Sequence, residues 1–238
     1  TYVQFTRNGA LLPENKKKRL REIDGELARL GPEFSKNCLK ATNAFELKIE
    51  NESDLSGLPD SAIAEAQQTA EEKGYKDCWV FTLQAPSLIP FLKYSDRREL
   101  REQMSTAAAQ ANTSGEWDNR PLVLKTIGLR EERAQLLGYK THADFVLSHR
   151  MAETPERVFA FINELLEVAK PATKKEVAEL QAFADELGGP NPLMPWDFAY
   201  YSEKLKQRKF DFSEESLRPY FKLENIINNK MLYMVLFL

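Results

Sequence analysis

Histidine and cysteine are nearly missing from this chain of 238 residues, which has two of each. The cysteines, Cys38 and Cys78, lie far apart, and no C-x-x-C exists. A disulfide framework is therefore not expected, and both read as free, partly buried thiols of a reducing, cytoplasmic setting. Pairing either with His142 as a nucleophile and base would be arbitrary. The histidines, His142 and His149, are seven positions apart. That puts them on a shared helix face but ~10 Å apart along its axis. Two zinc ligands on one helix stand four apart, because the metal bonds are only ~2 Å long. His142 and His149 thus read as ordinary polar helix residues. No G-x-S-x-G, P-loop or G-x-G-x-x-G is present. No apolar run approaches the ~18 residues that a membrane-spanning helix needs. Neither sign of charge dominates, since the formal net charge is −3. The run Lys16-Lys17-Lys18-Arg19 sits beside Glu14, Glu22 and Asp24, so it reads as a solvated helix face. Neither nucleic acid nor membrane is expected as a partner.

What is present is a soluble globular composition, 42% hydrophobic and 29% charged, long enough for one large domain or two small ones. Helical periodicity dominates. Leu20, Ile23, Leu27, Leu30 and Phe34 step by three and four, predicting a helix over about 14–43 with a bend near Gly31-Pro32. Pro59 and Asp60 open a second helix that ends near Gly74. Cys78 to Gln84 (CWVFTLQ) is aromatic and β-branched and predicts a strand. Its place within this chain is read as an open edge, or as pairing with another copy. Pro86 and Pro90 bracket a short turn-rich piece. Asp96 with Glu99 resembles a capping box for a helix over 96–113, and TSGEWDN forms a loop. A helix over 119–137 stops at Gly138. Thr141 with Asp144 caps the next. Thr154-Pro155 starts another, which Pro171 breaks or restarts before Gly188. Further helices are predicted from Trp196 to about Lys209 and near 214–221.

The stretch LMPWDFAYYSEKL, Leu193 to Leu205, packs a tryptophan, an aspartate and two tyrosines into one helix. Trp196 and Tyr200 share one face, and Asp197 and Tyr201 another. One face can pack inward while the other presents a hydroxyl and a carboxylate. Either the group is core or it lines a cleft, because buried tyrosine hydroxyls need partners.

Six stretches carry a resemblance: FTRNGA (5–10), FTLQAPSLIPFLKYSDRRELRE (81–102), REERAQLLGYKTHADFVL (130–147), MAETP (151–155), PWDFAYYSEKL (195–205) and LRPYFKLEN (217–225). In order and spacing they resemble the thimet oligopeptidase family of zinc metallopeptidases, on the branch of bacterial peptidyl-dipeptidases and oligopeptidase A. The resemblance runs over about residues 1–228. It implies a mainly α, neurolysin-like fold with one or two short strands, in which multi-helix walls enclose an internal channel where short peptides are hydrolysed. Zinc in that family sits on an H-E-x-x-H helix, with a downstream glutamate as third ligand. The motif's glutamate activates water at the open metal position.

The sequence departs from the family at that point, since it contains no H-E-x-x-H. The matching stretches correspond to the part of the family chain before the zinc helix. No catalytic or metal-binding residue carries over, no zinc is expected on this chain, and inactivity alone is expected. The resemblance makes Trp196, Asp197, Tyr200 and Tyr201 substrate-channel candidates. It divides the chain into a helical 1–75, a strand-and-helix region 76–228 and an atypical tail 229–238. NNKMLYMVLFL (228–238) is similar to the family's N-K-x-L-Y-x-x-F, but helical turns expected between Ile227 and Lys230 are missing. Residues 231–238 carry no charge, which predicts burial against the helices near 155–187 or self-association. The alternative function is a non-catalytic helical module that binds peptides or a partner.

Overall fold

The computed structural model describes residues 2–211 together with Leu217, Tyr220 and Phe221. The helix expected near 214–221 lies mostly, and the tail 229–238 entirely, outside the described residues. The fold is mainly α. The chain divides into two compact units, Thr1–Glu46 with Thr106–Val177, and Leu47–Ser105 with Ala178–Leu238.

The first unit is organised by a helix hairpin. Helix α1 (Tyr2–Arg7) leads into the long α2 (Glu14–Ala44). The three-and-four spacing buries Leu20, Ile23 and Leu30, each large side chain contributing roughly 1.5–3 kcal/mol when fully covered. They pack on Leu129 of α6 (Arg120–Leu136), with Leu27, Leu122 and Leu136 around them. Ion pairs flank this seam: Arg19 to Glu132, Lys125 to Glu26 and Arg133 to Asp24. Helix α2 runs through Gly31 and Pro32 as one element. The Thr141/Asp144 capping box forms as the sequence predicts and opens α7 (His142–Leu147). Phe145 of α7 is held by the Tyr139 ring at 5.3 Å and by the Arg7 guanidinium at 4.1 Å from its centroid.

Two expectations about helix breaks need correction. Helix α8 (Pro155–Glu186) passes through Pro171 unbroken. A mid-helix proline forfeits one backbone hydrogen bond, here to the carbonyl of Glu167. Both residues are exposed, so water can satisfy that carbonyl. The segment after the strand is not a turn but helix α4 (Ala85–Tyr94). Pro86 lies in its first turn, where no N–H is needed. Pro90 lacks the N–H that would have bonded Pro86, and the apolar run Leu88, Ile89, Phe91, Leu92 favours burial of the helix.

In the second unit the predicted strand is shorter than its apolar run, β2 (Trp79–Phe81). It is neither an open edge nor an intermolecular strand. It pairs antiparallel with β1 (Leu47–Ile49), Leu47 opposite Phe81 and Ile49 opposite Trp79. Helix α3 (Asp60–Glu72) packs on β2. Its inward residues, Ala62, Ala66 and Ala70, recur every four positions and are small, so the helix can lie close to the strands. Phe81 stacks edge-on to Phe91 of α4 at 4.7 Å. Helix α5 (Arg98–Gln110) starts two residues later than its predicted cap, which leaves Asp96 free for another role. Helix α9 (Pro195–Phe210) packs Tyr201 on Leu180, Phe183 and Ala184 from the last turns of α8, together with Leu193.

Candidate functional site

The candidate residues stand at the first turns of α9, and all their partners lie in the second unit. Pro195 opens the helix, where its missing N–H costs nothing. Asp197, at the third position, accepts the Met194 amide at 3.0 Å. Its carboxylate is fully buried. Arg98 grips it in bidentate fashion, Nε to Oδ1 at 3.1 Å and Nη2 to Oδ2 at 2.9 Å. Arg101 donates Nη2 to Oδ1 at 3.0 Å. Arg101 is itself buried and spends its other donors on backbone: Nε on the Trp196 carbonyl at 3.1 Å and Nη1 on the Ser95 carbonyl at 2.7 Å. The three-residue spacing of Arg98 and Arg101 puts both on one side of α5. A buried carboxylate is tolerated only when its lone pairs are satisfied, and here they are.

Electrostatics follow from these contacts. Burial alone would raise the Asp197 carboxyl, but the hydrogen bonds from Arg98, the Met194 amide and Arg101 outweigh it and hold it below its ordinary value. Asp197 is therefore an ionised anchor and a poor proton acceptor at neutral pH.

Tyr200 has a different partner. Its hydroxyl donates to Asp96 Oδ1 at 2.7 Å, and Ser56 Oγ donates to Asp96 Oδ2 at 2.8 Å. The Asp96 amide in turn donates to the Ser56 carbonyl at 2.9 Å. This latch requires Gly57. The residue has φ +84°, and a Cβ there would come within 2.3 Å of the Tyr94 carbonyl oxygen. Burial would raise the Asp96 carboxyl, but bonds from Tyr200 and Ser56 and the charge of Lys204 hold it low. Tyr200 is pushed above the ordinary tyrosine value by burial and then by Asp96. The Arg101 guanidinium lies 4.0 Å from the Tyr200 ring centroid, a cation–π contact. Tyr201 is buried. It meets the Tyr200 ring edge-on at 5.1 Å.

The structure thus places the four candidates in two settings. Asp197 and Tyr201 point into the core, while Trp196 and Tyr200 are half-buried. Trp196 Nε1 has no hydrogen-bond partner, and Arg98 lies 5.6 Å from the Trp196 ring. Sequence reasoning missed Asp96, Arg98 and Arg101, although all three sit in the SDRRELR stretch, Ser95 to Arg101. The available signal was two arginines three apart on a helix that must bury one side. It also missed Glu203, buried on the next turns of α9 and facing Tyr94 Oη at 3.4 Å and Lys93 Nζ at 3.5 Å.

The zinc chemistry implied by the resemblance finds no fitting donor set. Among the described residues no group of three or more His, Cys, Asp or Glu side chains could hold a metal. His142 has an unpartnered Nδ1. Burial lowers its pKa, and so do the charges of Arg130 and Arg133. Those two guanidiniums would also repel a bound cation. No hydrolytic step is derived from these residues.

Comparison with known proteins bears on the same region. The model of peptidase family M3 matches residues 91–237, which includes Asp96, Arg98, Arg101 and all four candidates on α9. The chain is 42% identical over 229 residues to oligopeptidase A of Haemophilus influenzae, covering 94% of this chain and 34% of that protein. It is 40% identical to oligopeptidase A of Escherichia coli, with the same coverage. Dipeptidyl carboxypeptidase of Escherichia coli is 30% identical over 228 residues, covering 95% of this chain and 34% of that protein. The chain spans about a third of the length of the curated relatives it matches.

Proposed function

This chain belongs to peptidase family M3, and on that footing we propose that it builds part of the peptide-binding channel of a zinc-dependent oligopeptidase. The zinc-binding segment is not among its 238 residues, so the chain by itself holds peptide without cleaving it. The substrates are short peptides and the setting is cytoplasmic. The two free cysteines are in keeping with that setting, and no described helix is long and apolar enough to cross a membrane.

One observation carries the division of labour on α9. Asp197 is sealed off by two arginines and the Met194 amide, so it fixes the helix rather than meeting substrate. Trp196 and Tyr200, half-buried on the other face, are the wall residues that touch peptide. The aromatic faces of both residues suit apolar peptide side chains.

The test is to incubate the chain with short peptides, with and without added zinc. Products are followed by mass spectrometry, and binding by tryptophan fluorescence. Saturable binding that weakens in Trp196→Phe, with no cleavage, is the expected result. Cleavage abolished by a chelator would overturn the claim that this chain is inactive alone. Peptide binding untouched by Trp196→Phe would remove α9 from the channel wall.

A further inference from the structure

The cluster that anchors α9 is unbalanced in charge. Arg98 and Arg101 share one carboxylate, Asp197, so two guanidiniums against one anion leave one positive charge in excess. The two arginines are not equivalent. Arg101 is buried and spends its donors on Asp197 and on the Trp196 and Ser95 carbonyls. Arg98 is about a third exposed and commits only Nε and Nη2, both to Asp197. Its remaining N–H groups, on Nη1, meet no acceptor among the described residues and are not sealed in the interior. The neighbouring cations are already matched: Lys204 to Asp96 at 3.6 Å, Arg97 to Asp54 at 3.2 Å and Lys93 to Glu203 at 3.5 Å. Glu102 and Glu99 place negative potential at Arg98. Neither pairs with it among the described residues, so they weaken the field there without filling the open donors.

We propose that Arg98 is a specificity-determining residue of the α9 wall: its open Nη1 side binds a carboxylate of the peptide, while the Trp196 ring beside it takes the adjoining apolar side chain. This rests on the reading of α9 as part of the peptide-binding channel. A guanidinium is planar and always charged, and its N–H groups match carboxylate oxygens. Asp197 engages one side of that plane through Nε and Nη2, which leaves the far side for a second carboxylate. Asp197 is itself fixed by Arg101 and the Met194 amide. The rotamer freedom that a long side chain ordinarily loses on binding is therefore already lost in folding. The Trp196 ring lies 5.6 Å from the guanidinium, so apolar contact and charge stand side by side. An Asp or Glu side chain and a peptide C-terminus offer the same chemistry to this site.

Fluorescence anisotropy on the full chain tests this, with short apolar peptides that carry the same uncharged dye at the N-terminus. One peptide ends in a free carboxylate. The second ends in an amide. The third ends in an amide and has an internal Gln replaced by Glu. At low salt a carboxylate should tighten binding roughly tenfold, the worth of one charge-assisted hydrogen bond, and the gain should shrink as salt is added. Whether the first or the third peptide gains identifies the source of the carboxylate. Arg98→Met should abolish the gain and leave the affinity for the uncharged peptide unchanged, which a merely structural role would not do. Arg98→Lys, which keeps the charge but not the planar fork, should retain part of the gain. Trp196→Phe should weaken all three peptides alike. If the three bind equally well and Trp196→Phe still weakens them, the wall reading stands and the role of Arg98 is overturned. A gain that survives Arg98→Met overturns it too, since the carboxylate is then held elsewhere. If no peptide binds, the wall reading falls and the role of Arg98 falls with it.

Discussion

Replacing Asp197 by asparagine keeps the side chain's size and removes its charge. The consequence follows from what remains. Arg101 is 1% exposed and cannot turn to water, so its guanidinium stays buried with only the Ser95 and Trp196 carbonyls as acceptors. Arg98, about a third exposed, can swing into solvent and loses little. An asparagine amide can also point a donor at two cations that need an acceptor. Breaking one member out of a buried ion pair costs about 3–5 kcal/mol, because the partner charge is left uncompensated. At a few degrees per kcal/mol for a chain of this size, the melting temperature should fall by on the order of 10 °C. Urea unfolding followed by circular dichroism measures the loss directly. Arg98→Met is the control. Its removal leaves Asp197 with Arg101 and the Met194 amide, so after allowance for solvent screening it should cost only about 1 kcal/mol. If Asp197→Asn loses no more than Arg98→Met does, the cluster does not hold α9 in place and the argument fails.

Acid should expose the same cluster. Asp197 and Asp96 both sit below their ordinary values, so their stabilisation is complete above about pH 4, the unfolded value, and is lost as pH falls through the depressed folded values. Asp197→Asn should therefore show a shallower acid limb than the parent chain in melts taken across that range. Tyr200→Phe removes the bond to Asp96 and should cost about 1–2 kcal/mol. Because burial and Asp96 raise the Tyr200 pKa, its contribution declines as pH climbs past about 10, and the phenylalanine variant should lose that part of the alkaline decline. Gly189→Ala would place a Cβ 2.3 Å from Tyr201 Oη and 2.9 Å from the Ala184 carbonyl oxygen, a clash expected to cost about 1–3 kcal/mol. Tyr201→Phe in the same chain should recover part of that loss, and thermal melts of the single and double variants decide whether it does.

How far the sequence disclosed this molecule depended on how local each determinant was. The long helices were legible because their apolar faces repeat within a single stretch, as Leu20, Ile23 and Leu30 do on α2. The Thr141/Asp144 cap was legible for the same reason, being complete within four residues. The strand Trp79–Phe81 announced itself through its side chains, but its partner Leu47–Ile49 is only three residues long. No periodicity can be read from so short a piece. It becomes a strand because β2 lies beside it. Prolines misled in the opposite direction. At Pro86 and Pro90 the four-residue spacing cancels the usual objection, since the donor missing from one would have served the carbonyl of the other.

The site was half legible. Trp196, Asp197, Tyr200 and Tyr201 drew notice as a group on two faces, but the face expected to present a hydroxyl and a carboxylate, Tyr201 with Asp197, is the one that packs inward. Their roles could not be read, because those are set by residues about a hundred positions earlier. Arg98 and Arg101 reach Asp197, and Asp96 reaches Tyr200, through a loop locked by Gly57. A carboxylate at the third position of a helix reads locally as a cap, and Asp197 is one. That it is also an anchor follows only once α5 is packed beside it, and the anchoring keeps Asp197 from acting as a base. On this account Asp197→Asn should weaken peptide binding only in proportion to the helix it loosens, whereas Trp196→Phe should weaken binding with little loss of stability. Peptide titrations run beside the urea melts of both variants separate the two roles. Equal losses of affinity at matched stability would mean that Asp197 meets the peptide after all.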